Sequence, residues 1–299
     1  MNGALAVARY TLVELSRRRI LLVFFIIGAA GIALLGIGLK VFSSAIIGNT
    51  TFGGPNGAPV DPARVSRAIE LSFVSDLIGV LGIFALLIAF GIGMTAIYHD
   101  LDSGAAIAIF SKPVSRLAFT LGKLVAAVAA MIVVVGLLSL EARLAMLLFG
   151  GGLEEALWFE TLAGVANAIT LMLIVLALST WMNNIVAAVV AFIYNAAGGI
   201  VVALHNQFAA GNLGNNEALH WGLNVLYWLV PHQLLSDAPR EIARQQFELF
   251  NSGQNNGTDI NQALAGIPGP SGATDIIWWA LVVAVLACLV YFAVRRRQV

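Results

Sequence analysis

Six long apolar blocks dominate the chain, separated by short polar stretches. They run over 20–42, 77–98, 119–149, 158–180, 185–205 and 276–294. Each supplies roughly the 20 helical residues that cross a hydrocarbon core about 30 Å thick. The third is long enough to tilt or to project beyond lipid. Runs such as "LGIFALLIAF" do not alternate, which argues against membrane β-strands of about ten alternating residues. The pattern predicts an all-α integral membrane protein with six transmembrane helices, forming a single domain over 1–299.

The pieces between the blocks have patterns of their own. In 1–19, "LAVARYTLVELSRRR" sets Leu5, Ala8, Leu12 and Leu15 on one face of an amphipathic helix. The basic start and apolar core that follow resemble a secretory signal. That core exceeds the roughly 7–15 residues of such a signal, so an uncleaved first crossing is expected. Asp61 and Pro62 suit an N-cap and first helical position. Val65, Ala68, Ile69 and Ser72 then follow at helical spacing toward the second block.

The largest piece between blocks is 206–275. Its "EALHWGLNVLYWLVP" is too short to span and too apolar to lie bare in water, so an interfacial or re-entrant segment ended by Pro231 is expected. Leu223 and its helically spaced neighbours, with Trp221 and Trp228, are candidates to cap the exit of a path. Asn195, a polar point inside the fifth block, is a candidate to line that path. "DAPREIARQQFELF" reads as a further helix from Asp237 and Pro239, and a Gly-rich linker leads to the last block.

Composition agrees with the pattern. The chain is 60% hydrophobic and 11% charged, with mean hydropathy +0.90. A soluble domain carries about 25% charge. Net charge is zero, which gives no electrostatic case for nucleic acid as a partner. The single Cys288 permits no intrachain disulfide. Lys and Arg set the orientation. One side collects Arg9, Arg17, Arg18, Arg19, Lys112, Arg116, Lys123, Arg295, Arg296 and Arg297, ten of the sixteen basic residues. The N- and C-termini are therefore expected in the cytoplasm of a cell with this chain in its inner or plasma membrane. Trp158, Trp181, Trp278 and Trp279 stand at block ends, as aromatic belts do.

The stretch "YHDLDSGAAIAIFSKPVSR", residues 98–116, interrupts the apolar pattern on the cytoplasmic side. Asp102 or Ser103 can cap a short helix, and Pro113 ends it. Acids lie at its start (Asp100, Asp102) and bases at its end (Lys112, Arg116), as the helix dipole favours. A plain connector would explain the charges but has no need to present Ile107 and Phe110. Ser115 can cap the third crossing.

The residues Ser103, Gly104, Phe110, Ser111, Lys112, Pro113, Val114, Ser115, Arg116, Gly122 and Lys123 resemble the pattern E-x-x-x-G-T…L-x-S-x-P-V-S-R…F-x-x-G-K of ABC-2 type permeases. These are membrane subunits of ATP-driven exporters (type V), among them the permease of the nitrous-oxide-reductase maturation transporter. Asp102 and Ala105 depart from the Glu and Thr frequent there. The resemblance implies a coupling helix over 99–118 that docks on a separate ATPase through Asp100, Asp102, Ser103, Gly104, Ile107, Phe110, Lys112, Pro113 and Arg116. It also implies a permease dimer with two ATPase copies, ATP and Mg held by the ATPase, and an N-terminal helix lying along the membrane.

No G-x-x-x-x-G-K-[ST] phosphate loop occurs, since Leu117 and Leu124 stand where Gly and Ser or Thr belong around Gly122–Lys123. H-E-x-x-H, C-x-x-C and G-x-S-x-G are also missing, so no catalytic or metal set is assigned. His220 and His232 are the one pair to consider for copper. Glu141 and Arg143 are the ionisable residues nearest a crossing's interior, with Glu141 expected at the outer interface. Two other readings stay open: a secondary transporter, and a membrane anchor or scaffold without an ATPase.

Overall fold

The computed structural model describes residues 2–49, 61–98, 114–149, 156–209, 216–230, 232–251, 260, 264, 267 and 269–296. The described residues form helices α1 (Asn2–Ser16), α2 (Arg19–Asn49), α3 (Pro62–Thr95), α4 (Arg116–Phe149), α5 (Ala156–Ser179), α6 (Asn184–Ala209), α7 (Glu217–Leu229), α8 (Ala238–Asn251) and α9 (Ala273–Arg296). Six of them, α2 to α6 and α9, are long and apolar enough to cross a membrane. No strand occurs among the described residues.

The helix starts follow from local chemistry. Asp61 accepts from Ala63 N at 3.0 Å, and Pro62, whose missing N–H is no loss there, opens α3. Ser115 Oγ accepts from Ala118 N at 3.1 Å and caps α4. Asn216 accepts from Ala218 N and Leu219 N, at 3.1 and 3.3 Å, and caps α7.

The helix read from Asp61 and Pro62 is continuous with the second crossing. Helix α3 does not begin at the apolar block but runs unbroken from Pro62, 34 residues in all. At about 1.5 Å per residue it is about 50 Å long, so its first turns stand clear of a 30 Å core. It ends at Thr95, three residues before the expected limit. The exposed stem carries α8: Arg67 donates to Gln245 at 2.9 Å, and Gln246 reaches Ser72 at 3.5 Å.

Helices α3, α4 and α5 form the centre, and α2, α6 and α9 flank them. Ile88, Ile92, Met131, Leu138, Leu171 and Met172 are buried there. Lipid is as apolar as leucine, so close packing rather than the hydrophobic effect must hold the crossings together. Gly93 shows the requirement. A Cβ there would lie 2.8 Å from Val175 Cβ and 3.0 Å from the Met172 carbonyl, so α3 and α5 touch backbone to backbone. Outward faces remain apolar, as at Ile26 and Leu34 on α2 and Phe192 and Ile193 on α6.

Two opposite ends result. One holds α1, the starts of α4 and α6 and the ends of α3 and α9: Arg116 donates to the Arg295 carbonyl at 2.6 Å, and Asn184 to the Met94 carbonyl at 3.0 Å. The other holds α7, α8 and the starts of α3, α5 and α9.

Candidate functional site

At the first end, α1 lies on the start of α4. Gly122 makes the approach possible: a Cβ there would stand 2.6 Å from the Ala4 carbonyl oxygen and 2.8 Å from Val7 Cβ. The next residue, Lys123, has a fully buried side chain. Its Nζ is 3.2 Å from Glu14 Oε2 and 5.9 Å from the ring centroids of both Tyr10 and Phe119. Glu14 also receives Arg18, four residues on and just past the end of α1. A buried ammonium costs several kcal/mol without a counter-charge, so Glu14 is the condition for Lys123 being there. Burial pushes the Glu14 carboxyl up, but the Arg18 bond and the Lys123 charge outweigh it and hold it below the usual carboxylate range.

The apolar arc of α1 is split by this docking. Ala8 and Leu15 are buried on the protein, whereas Leu5 and Leu12 stay exposed along the edge. Val7 and Thr11, on the adjoining arc, complete the buried face. Phe119, Gly122 and Lys123 thus form the seat of the N-terminal helix. Of the expected docking residues, Asp100, Asp102, Ser103, Gly104, Ile107, Phe110, Lys112 and Pro113 lie outside the described residues. Arg116 is described; it ties the start of α4 to the last turn of α9.

At the other end, α7 lies beside α6, with His220 against Phe208 (5.2 Å between centroids) and Tyr227 against His205 (4.3 Å). Tyr227 is held on both faces, since His232 stacks on it at 4.0 Å. Its hydroxyl donates to Asp275 Oδ1 at 3.1 Å. Asp275 Oδ2 accepts from Gly272 N at 2.8 Å, closing the first turn of α9. His232 Nδ1 is 2.9 Å from the Tyr227 carbonyl, which only accepts, so Nδ1 carries the proton. Nε2 faces Asp275 at 3.4 Å.

The chain beyond α7 is extended and enters the bundle. Leu234 N donates to Asn167 Oδ1 at 2.7 Å, and Asn167 Nδ2 donates to the Leu234 carbonyl at 2.9 Å. Gln233 reaches Asn195 at 3.5 Å. Leu235 exchanges two bonds with Ser271, and Ser236 donates to Glu160. A cavity of about 360 Å³ opens beside this segment, lined by His205, Asn206, Asn224, Tyr227, Trp228, Leu235, Ser271 and Asp275 among others.

The candidates for a path or gate fall as follows. Asn195 meets Gln233. Trp228 lines the cavity and packs edge-on against Tyr227, His232 and Trp278. Trp221 is exposed, while Leu223 is buried inside the chain. The exposed apolar surface of α7 includes Leu219, Trp221, Val225, Leu226 and Leu229. Arg143 is buried, its guanidinium stacked 3.6 Å above the Trp158 ring. Among the described residues no group of three His, Cys, Asp or Glu is placed to hold a metal. His220 turns to Phe208 and His232 to Tyr227.

Fold and geometry together define a multi-pass helical membrane protein with a docked N-terminal helix at one end and a polar cavity at the other. The sequence matches no family model, and no curated protein is significantly similar to it.

Proposed function

We propose that this chain is the permease subunit of an ATP-binding cassette exporter of ABC-2 type. In this reading it forms the substrate path as a homodimer in the inner or plasma membrane. Two copies of a separate ATPase, which hold ATP and Mg, drive it through the 99–116 coupling helix. The observation that carries the reading is the seat of α1. Gly122 and Lys123, the end of the motif by which the chain resembles such permeases, fasten α1 to the first turns of α4, the helix that follows in sequence the segment expected to take the ATPase. A handle needs such a rigid base, because force applied to a loose loop would not reach the crossings. ATP-driven closure of the ATPase pair would then bias two arrangements of the crossings.

The acids of the crossings support this over a proton-driven carrier. The acids of the described spanning helices, Glu70 and Asp76 on α3, Glu141 on α4, Glu160 on α5 and Asp275 on α9, all stand in the half of their helix nearer the α7 end. A proton relay is built from carboxylates or histidines inside the membrane.

The test is purification of the full chain from its native membrane in mild detergent. A second protein bearing a phosphate loop should co-purify in equal amount, and the complex should hydrolyse Mg-ATP. Recovery of this chain alone, with no such protein even after crosslinking, would sink the proposal.

A further inference from the structure

The segment 232–236 is non-helical backbone beside the middles of two crossings. Its partners Asn167 and Asn195 lie near the centres of α5 and α6, which both qualify as membrane spans. At about 1.5 Å per residue Asn195 is about 16 Å along α6, roughly halfway through a 30 Å core. Irregular backbone at that depth persists only where protein satisfies it or where it borders water. Here protein satisfies one side of the segment, and the cavity lies on the other.

The sides are separated by the two-residue period of extended chain. His232, Leu234 and Ser236 are buried, and Gln233 and Leu235 are partly exposed. The buried side faces α5, where the Asn167 carboxamide substitutes for a neighbouring backbone. The Leu235 N–H and carbonyl are taken by Ser271 Oγ at 2.8 Å and Ser271 N at 2.9 Å. On the other side Leu235 lines the cavity, and Gln233, two residues away and outside that lining, stands opposite Asn195 and beside Gly199.

We infer that 232–236 is a re-entrant wall of a water-filled vestibule, and that the Gln233–Asn195 carboxamide pair is its floor. Two partly exposed carboxamides at mid-depth are costly against hydrocarbon and not against water. The groups offered on the way down are the amides of Asn206 and Asn224, the Ser271 hydroxyl and the Asp275 carboxylate, with Trp228 as the apolar face. That set recognises a water-soluble solute bearing hydroxyl or amide groups; a lipid or a hydrocarbon drug would leave the floor unpaired. The inference relies on the permease reading for what passes through the vestibule, and not for the vestibule itself. Thiol labelling therefore reports on the vestibule whether or not an ATPase binds.

The experiment places single cysteines in the full chain in native membranes, on a Cys288→Ser background. The probe is a cationic, membrane-impermeant methanethiosulfonate, set against lipid-soluble pyrene maleimide. Gln233→Cys and Asn195→Cys should react with the cationic probe within about tenfold of Glu248→Cys, which is exposed on α8. Ile193→Cys, on the apolar face of α6, should react about 100-fold more slowly, the factor implied by the cost of a charge in hydrocarbon. The proposal is overturned if Gln233→Cys and Asn195→Cys are as slow as Ile193→Cys. It is equally overturned if the pyrene reagent outpaces the cationic one at Gln233→Cys, because that position would then face lipid.

Discussion

The carboxamide of Asn167 holds the backbone of Leu234 by two hydrogen bonds, 2.7 Å from the amide nitrogen and 2.9 Å to the carbonyl. The pairing reproduces, with one side chain, what a neighbouring strand would supply. Asn167→Leu leaves both backbone groups without partners, at about 1–3 kcal/mol each. The expected result is a lower unfolding temperature in detergent and new proteolytic cleavage near 232–237. Asn167→Asp, which keeps the acceptor and loses the donor, should fall between. Equal protease resistance in all three proteins would show that the pairing does not hold the segment.

The Glu14–Lys123 pair predicts non-additive mutations. Glu14→Ala removes the carboxylate facing the buried ammonium and should destabilise the docking of α1 by about 3 kcal/mol. Lys123→Met should cost less, and Glu14→Ala with Lys123→Met should recover much of the loss. Hydrogen exchange over residues 2–16 reads the docking, and simple additivity of the single changes would refute the pairing.

Glu14 also predicts a pH window. Its folded carboxyl lies below its ordinary value of 4.5, so its contribution is fully present above that value and is lost as pH falls below it. Exchange protection of α1, corrected for the intrinsic rate, should decline below about pH 4.5. Glu14→Gln should remove that dependence. A wild-type profile flat through the window would contradict the depressed carboxyl.

Glycines divide into two sets. Gly122→Ala and Gly93→Ala place a methyl within 3.0 Å of fixed neighbours and should loosen α1 and the α3–α5 crossing respectively. Gly79→Ala and Gly136→Ala meet nothing within 4 Å and should be neutral, or stabilising by up to about 1 kcal/mol through helix propensity. Thermal unfolding of the four variants checks the division. Similar shifts across both sets would mean that close approach is not what these positions require.

The elements legible in the sequence were those whose cause is local. Asp61–Pro62 and Ser115 announced their helices because a cap is read within four residues. The six crossings were legible because lipid demands long apolar runs. The stem of α3 was legible as a helix leading into its crossing, because its cap and helical spacing are local, while the polarity change near residue 77 marked where the apolar block begins. The segment 232–236 carries no pattern that announces its burial, since the Asn167 and Ser271 that hold it are distant in sequence. Lys123 counted as one more positive charge at the membrane face. Its burial depends on Glu14, 109 residues earlier, and no periodicity links the two. The amphipathic face of α1 was half legible: Leu5 and Leu12 share an arc with Ala8 and Leu15, but Gly122 decides which edge meets protein.

The most direct measurement is photo-crosslinking from position 110 in the full chain, in native membranes, with a photoreactive amino acid replacing Phe110. Under the proposed function the product identified by mass spectrometry is a protein with a G-x-x-x-x-G-K-[ST] loop, and the same probe at Trp221, on the opposite end, does not capture it. Its yield should fall when Arg116→Glu is added. Capture of lipid or of this chain alone from position 110 would contradict the coupling-helix reading and, with it, the permease account.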